Sequence, residues 1–156
     1  MEKYEILKSI INRAKHIVFF TGAGISVPSG VPDFRSENGI YNQKTKTNAR
    51  PEEIISHHFF MENTEEFYEF YKTKMVYPTA KPNFAHEFIA KLQETTQVSV
   101  VTQNIDGLHQ KAGSQVVYEL HGSTLRNYCE SCHSFYDEKF VLAAEGVPTC
   151  PKCGGR

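Results

Sequence analysis

His16-Ile17-Val18-Phe19-Phe20-Thr21-Gly22-Ala23-Gly24-Ile25-Ser26 is the stretch that decides how this chain is read. An apolar run ending in closely spaced glycines is how a nucleotide-binding sheet brings its backbone against a phosphate. Glycine lacks a Cβ, so the chain turns tightly there and presents bare N–H groups to an anion. A dinucleotide fingerprint wants a third glycine three residues after the second, and that position is Val27. The chain continues instead as Pro28-Ser29-Gly30-Val31-Pro32-Asp33-Phe34-Arg35, where two prolines rule out a long regular helix. An ordinary dehydrogenase is therefore disfavoured. Asp33, Phe34 and Arg35 beside a phosphate site suggest cofactor chemistry of another kind.

Outward from this loop, the chain reads as one folded unit with a small addition. Its 156 residues suffice for one domain with a core, or one domain plus an insert. Lys and Arg number 17 against 18 Asp and Glu, so the basic footprint of a nucleic-acid binder is missing. An apolar content of 40%, with 11 Phe and 8 Tyr, argues for a globule rather than a disordered chain. No apolar stretch reaches the roughly 18 to 20 residues needed to cross a bilayer, and the start lacks a signal-peptide pattern. A cytoplasmic location is the expectation.

Ile6, Leu7, Ile10 and Ile11 form one stripe of an amphipathic helix over about 5–14. The strand from His16 to Thr21 is apolar almost throughout, as a strand covered on both faces should be. Residues 22 to about 50 read as a long functional loop with one or two helical turns, and 42–48 as a mobile polar stretch. Pro51 opens a short helix with Glu52 and Glu53 near its positive end. Asn63-Thr64-Glu65-Glu66 reads as a capped start, followed by a Phe67, Phe70, Tyr71, Met75 stripe. A helix over about 83–95 carries Phe84, Phe88, Ile89 and Leu92 on one side. Val98 to Thr102 and Val116 to Leu120 are further strands. The order implies a parallel sheet with crossovers, a helical insert at about 51–76 and a separate lobe from 125 onward.

That last lobe holds all four cysteines, Cys129, Cys132, Cys150 and Cys153, as two Cys-x-x-Cys pairs with 17 residues between them. The spacing suits a four-thiolate zinc site, and Pro148, Pro151, Gly154 and Gly155 supply knuckle turns. Four thiolates fill the coordination sphere, so the role is structural. A pair of disulfides is the competing reading, disfavoured in a reducing compartment. Of the seven histidines, His16, His57, His58 and His86 read as bland, and His133 as a bystander to a complete four-sulfur site.

In parallel sheets ligands gather at the carboxyl ends of strands. Three ends are polar here: Thr21-Gly22-Ala23-Gly24, Thr102-Gln103-Asn104-Ile105-Asp106 and Leu120-His121-Gly122. Asn104 and Asp106 sit two apart, so in an extended segment both can face one pocket. Taken alone, Asn and Asp at such a place more often simply make a turn. His121, followed by a glycine, is the candidate general base.

These residues together carry a family resemblance. Gly22-Ala23-Gly24-Ile25-Ser26, Gly30-Val31-Pro32-Asp33-Phe34-Arg35, Thr102 through His109, Ala112-Gly113, Glu119-Leu120-His121-Gly122 and the two cysteine pairs stand in sirtuin order, and the whole chain resembles a bacterial-type sirtuin. The resemblance implies an α/β fold: the N-terminal half of a Rossmann-like parallel sheet (1–124), with a helical lobe and a four-cysteine zinc-ribbon module (125–156). It implies an NAD-dependent protein lysine deacylase, which passes the acyl group to ADP-ribose and releases nicotinamide. NAD is then a co-substrate, one structural zinc sits on Cys129, Cys132, Cys150 and Cys153, and acyl-lysine peptides are the partners; no membrane or direct nucleic-acid partner is expected. By position, Ala23, Gly24 and Ser26 lie against the pyrophosphate, and Gly22 is cofactor-binding with them. Asp33, Phe34, Arg35 and Tyr41 belong to the loop that orders over NAD. Gln103 and Asn104 face the nicotinamide ribose, and Ile105 and Asp106 hold the carboxamide. His121 and Asn104 are catalytic, His121 as general base on the ribose hydroxyls.

Tyr68-x-x-Tyr71 stands where relatives that favour acidic acyl groups carry Tyr-x-x-Arg, so neutral acyl groups are expected unless Lys72 or Lys74 substitutes. After Cys153 a sirtuin normally returns to a second half of its sheet, carrying the adenosine-binding loops. The expectation for these 156 residues alone is weak NAD binding, little or no deacylation, and aggregation through the edge of the first strand. An NAD-dependent ADP-ribosyltransferase and a non-catalytic zinc-containing binding module are the alternatives.

Overall fold

The computed structural model describes residues 2–43 and 49–156; most of the polar stretch expected to be mobile (42–48) lies outside them. Three strands, β1 (His16–Thr21), β2 (Gln97–Thr102) and β3 (Val117–Glu119), form a parallel sheet in that order. β1 and β2 run in register from His16 opposite Gln97 to Thr21 opposite Thr102, so their carboxyl ends finish side by side. Thr102 in turn stands opposite Glu119 of β3, which brings the segment leading to His121 to the same rim.

Among the described residues the sheet is covered on one face. Val98 and Val100 of β2 are buried with Ile89 of α5 (Phe84–Leu92), and Ile17, Phe19, Leu92 and Val117 pack around them. On β1 the pattern alternates, leaving Val18 at 58% and Phe20 at 66% exposure. The expected two-sided burial of β1 is thus not found. An edge strand with one covered face buries every second side chain, and an unbroken apolar run does not reveal which face is covered. Helix α1 (Glu2–Arg13) forms where expected, yet none of its residues is buried, and Ile6, Leu7 and Ile10 face solvent.

The α5 stripe is also rotated from the expected one. Ile89 and Leu92 face the core, but Phe84 is 80% exposed and stacks on Phe88, while His86 takes the innermost place. Asn83 caps this helix, accepting from the Ala85 N–H. Its amide donates to Ile25 O at 2.8 Å and Ser29 Oγ at 2.9 Å, which pins the glycine loop to the helix start.

The insert expected as two helices is three short ones: α2 (Pro51–Ile54), α3 (His57–Glu62) and α4 (Thr64–Phe70), the last widening into a π turn at Tyr71–Met75. Asn63 precedes α4 but makes no side-chain cap bond, contrary to the capped start expected there. Ile54, Phe70 and Ile40 form this lobe's own core, with Phe34, Tyr41, Phe59 and Met75 against it. After α6 (Leu108–Lys111) and β3, the last lobe comprises the hairpin strands β4 (Asn127–Tyr128) and β5 (Phe135–Tyr136) and the helix α7 (Glu138–Ala143). Arg156 bonds Thr64 Oγ1 at 2.7 Å and Glu130 at 2.8 Å, tying this lobe to the head of α4. Among the described residues no helix is long and apolar enough to cross a membrane.

Candidate active site and metal centre

A cavity of about 450 Å³ opens where the three strand ends meet the helical lobe. Its polar side is Ala23, Ser26, Gln103, Asn104, Asp106 and His121; its apolar side includes Phe34, Ile40, Phe67, Phe70 and Met75. Of the residues selected from the sequence, Ala23, Ser26, Phe34, Gln103, Asn104, Ile105, Asp106 and His121 all line this space. Gly22, Gly24, Asp33, Arg35 and Tyr41 do not. Asp33 accepts from the Ser36 backbone N–H and hydroxyl within its own turn, and Tyr41 packs its ring 5.2 Å from Phe34.

The loop after β1 is not extended but forms a 3₁₀ turn, Ala23–Ser29, that accommodates Pro28 and closes on Gly30 at φ +82°. This turn buries Ser26 completely. Its hydroxyl accepts from Asn104 Nδ2 at 3.0 Å and donates to Asp106 Oδ2 at 2.7 Å. The second carboxylate oxygen of Asp106 accepts the Leu108 N–H at 2.9 Å, as an N-terminal acid does at the start of α6. Asp106 therefore makes a local turn bond, Asn104 bonds across to Ser26, and both line the cavity.

His121 places Nδ1 3.0 Å from Gln103 O. A carbonyl oxygen only accepts, so Nδ1 carries the proton and the Nε2 lone pair is left to take one. A backbone atom thus sets the tautomer that a general base requires.

Beside Phe34, the apolar wall takes Val31 and Pro32 from the same motif, Phe67, Phe70, Tyr71 and Met75 from the helical stripe, and Ile40, Ile55 and Tyr77, which no motif marks. Gly39 enables the wall, since a Cβ there would lie 2.7 Å from the backbone carbonyl carbon and oxygen of Phe34. Burial pushes the Tyr71 phenol up to about 12, so it stays neutral and donates toward Asn127 Oδ1 at 3.4 Å. The two lysines near this wall point elsewhere. Lys72 Nζ bonds the Ala144 and Gly146 carbonyls at 2.6 Å each, and Lys74 bonds Gln43 Oε1 at 2.8 Å.

Behind the rim lies a feature that was not singled out in the sequence. His109, 1% exposed, shares a 3.0 Å hydrogen bond with Thr21 Oγ1, and its ring meets the fully buried His86 edge-on at 4.8 Å. Burial, then the neighbouring His86, lowers the His109 pKa to about 4, against a smaller opposing pull from Asp106. His86, read as bland, is here a core residue. Its Nδ1 accepts the Asn83 N–H, and burial again lowers its pKa.

The four cysteine sulfurs all lie within 4.8 Å of one another. Cys129 and Cys153 are 3.6 Å apart, as are Cys132 and Cys150. That is far longer than a disulfide of about 2.05 Å and close to the roughly 3.8 Å edge of a tetrahedron with 2.3 Å zinc–sulfur bonds. Gly155 completes the nest, because a Cβ there would lie 3.3 Å from Cys129 Sγ and 2.5 Å from Ser131 Oγ. The donor set fits one tetrahedral zinc ion. His133 stands outside it, holding the left-handed φ of +57° that turns the first knuckle.

Comparison with known proteins agrees with this geometry. The Sir2 family model matches residues 22–156. A protein from Clostridium perfringens named NAD-dependent protein deacetylase is 57% identical over 155 residues, covering 99% of this chain and 64% of that protein. One of the same name from Staphylococcus aureus is 45% identical, over 97% of this chain and 62% of its own length. Among solved structures, a Sir2 variant with deacetylated p53 peptide and 3′-O-acetyl ADP-ribose superposes with a TM-score of 0.86 at 41% identity, over 99% of this chain and 62% of that one. A Sir2–p53 peptide–NAD⁺ complex gives 0.80 at 41% identity, over 99% and 61%. The chain thus spans a little under two thirds of the relatives it matches.

Proposed function

Because this chain belongs to the Sir2 family, we propose that it carries the nicotinamide-side half of an NAD-dependent protein lysine deacylase. The observation that carries this reading is the cavity in which Ser26, Asn104, Asp106 and His121 converge opposite an apolar wall. It is supported by relatives named NAD-dependent protein deacetylase and by neighbours solved with NAD⁺, peptide or acetyl ADP-ribose.

NAD supplies the ADP-ribose acceptor and the nicotinamide leaving group. Departure of nicotinamide builds positive charge on the ribose, which a positioned acceptor and a preorganised polar wall favour. Ala23, Gly22, Gly24 and Ser26 would turn their backbone to the pyrophosphate. Gln103 and Asn104 would face the ribose, and Ile105 and Asp106 the carboxamide. Asp33, Arg35 and Tyr41, outside the cavity wall, would act by shaping the loop that carries Phe34 over the reacting face. His121 Nε2 would be the atom to take a proton from a ribose hydroxyl, since its Nδ1 is already committed to the Gln103 carbonyl. The cysteine lobe, 125–156, would hold a structural zinc and buttress α4 from a distance; residues 1–124 would form the cofactor-binding part.

Acetyl and other neutral acyl groups are the proposed substrates. Among the described residues no lysine or arginine lines the cavity, and Lys72 and Lys74 are engaged elsewhere. A carboxylate-bearing acyl group would find no cation there to pair with. Four unbridged thiols suit a reducing compartment, so a cytoplasmic site of action accompanies the proposal.

The test is nicotinamide release by the protein expressed from its complete reading frame, with acetylated and unacetylated peptide side by side. A deacylase releases nicotinamide only with acyl-lysine present. Release without it would favour ADP-ribosyl transfer. His121→Ala and Asn104→Ala should each abolish deacylation with zinc content unchanged, and wild-type activity in either would sink the assignment.

A further inference from the structure

The metal centre has a participant besides its cysteines. Tyr136, on β5, sets its hydroxyl oxygen 3.0 Å from Cys150 Sγ. Its ring is held by Phe140 of α7, stacked at 4.2 Å and 24°. Cys150 is also the most enclosed of the four sulfur ligands, at 2% exposure. We propose that Tyr136 is a positioning residue of the metal site, whose O–H donates to the Cys150 thiolate and sets the affinity with which the lobe holds its ion. This rests on the reading of the four cysteines as a zinc site.

The physical reason is charge. Four thiolates around one Zn²⁺ leave a net charge of about −2 on the cluster, and each donor aimed at a sulfur spreads that charge. Backbone N–H groups of Lys152 and Cys153 also face Cys150, and two contacts to the exposed sulfurs are longer than the phenol bond. Gly155 N–H reaches Cys153 Sγ at 3.4 Å, and Ser134 Oγ lies 3.3 Å from Cys132 Sγ on the exposed side. Among the described residues, the phenol is the one side-chain hydroxyl bonded to a buried ligand. It is also rigid, because the Phe140 stack fixes the ring and the β4–β5 pairing fixes its backbone. Outer-shell partners of metal ligands are worth roughly 10- to 100-fold in affinity.

The assay is zinc competition against a chromophoric chelator, using the protein expressed from its complete reading frame, Tyr136→Phe and Tyr128→Phe. Phe at 136 keeps the ring and its stack and removes only the hydroxyl; Tyr128 is an exposed tyrosine on the facing strand. Tyr136→Phe should bind one zinc about 10- to 100-fold more weakly, with Tyr128→Phe within about twofold of wild type. Equal affinity for Tyr136→Phe would overturn the assignment. A wild-type chain that binds no zinc would overturn the metal-site reading beneath it. Should Tyr136→Phe not fold, the wild-type chain loaded with cadmium-113 still decides. The Tyr136 hydroxyl proton should exchange slowly and couple to the metal across Cys150 sulfur, and a fast-exchanging, uncoupled hydroxyl would refute the proposal.

Discussion

Lowering the pH should destabilise this chain chiefly through His109. The group is 1% exposed, bonded to Thr21 Oγ1 and edge-on to His86, and its pKa falls from an ordinary 6.5 to about 4. A base with a depressed folded-state pKa is protonated first in the unfolded chain. Between those two values the unfolded state takes up a proton that the folded state refuses, so stability rises with pH across the window. The contribution is complete above about pH 6.5 and drains as pH falls toward 4. With these two values the loss is about 2 kcal/mol by pH 5 and about 3 kcal/mol by pH 4. Urea unfolding of wild type and His109→Gln at pH 7.5, 6 and 5 measures it. Glutamine places an amide near the position of Nε2 but cannot titrate, so the variant should start less stable and then lose less on acidification. Zinc release and carboxylate protonation affect both chains and cancel in the difference. Parallel pH profiles, within about 0.5 kcal/mol, would show that His109 is not held neutral by its surroundings. An imidazole of His109 that titrates near 6.5 by NMR would refute the reasoning directly.

Other expectations follow from single contacts. Gly39→Ala forces a Cβ to within 2.7 Å of the Phe34 backbone. Overpacking of this kind costs about 1–3 kcal/mol, read as a fall in Tm of roughly 2–12 °C; an unchanged Tm would mean the loop yields freely. Ser26→Ala strips Asn104 Nδ2 and Asp106 Oδ2 of their shared partner. NAD affinity of the whole protein, by calorimetry, should drop about tenfold or more, consistent with losing buried hydrogen bonds worth ~1–3 kcal/mol. Cys150→Ser should abolish zinc binding, measured by metal content after dialysis, and retention of one zinc per chain would contradict the four-sulfur site. Phe20→Lys, placed on the exposed half of β1, should reduce concentration-dependent light scattering of the 156-residue chain; no change would acquit that edge.

The sequence announced what depends on local chemistry and hid what depends on which face is covered. β1 falls on the residues expected of it, because an apolar run bounded by Lys15 and Gly22 permits little else. The cysteine spacing forecasts the cluster because a tetrahedral site tolerates few loop lengths. Periodicity, by contrast, was half right for α5, where Ile89 and Leu92 face the core as expected. Its phenylalanines lie outward and a histidine lies inward, because His86 both completes the helix cap through Nδ1 and packs on His109. Hydrophobicity alone ranks Phe84 above His86; the cap and the partner ring reverse the order. The apolar wall of the cavity was legible in part: the Phe67, Phe70, Tyr71, Met75 stripe lines it, whereas Ile40 and Ile55 reach it only through tertiary packing of the lobe.

The proposed catalytic histidine shows why residue type alone underdetermines a site. A histidine after a strand end is an acid, a base or a bystander depending on one proton, and here that proton is assigned by Gln103 O. The same residue donates its backbone N–H to Thr21 O at 3.0 Å, at the mouth of the glycine loop. The main chain of Gln103 therefore joins the end of β1 to the ring of His121. Any change that shifts Thr21, including loss of its His109 contact, reaches the base through these two backbone hydrogen bonds rather than through a side chain at 103. Substituting Gln103 should accordingly alter ribose contacts while leaving the His121 tautomer intact, whereas His109 variants should disturb the base without touching the cavity. The pH dependence of kcat separates the two: it should keep its wild-type acid limb in Gln103→Ala and shift it in His109→Gln.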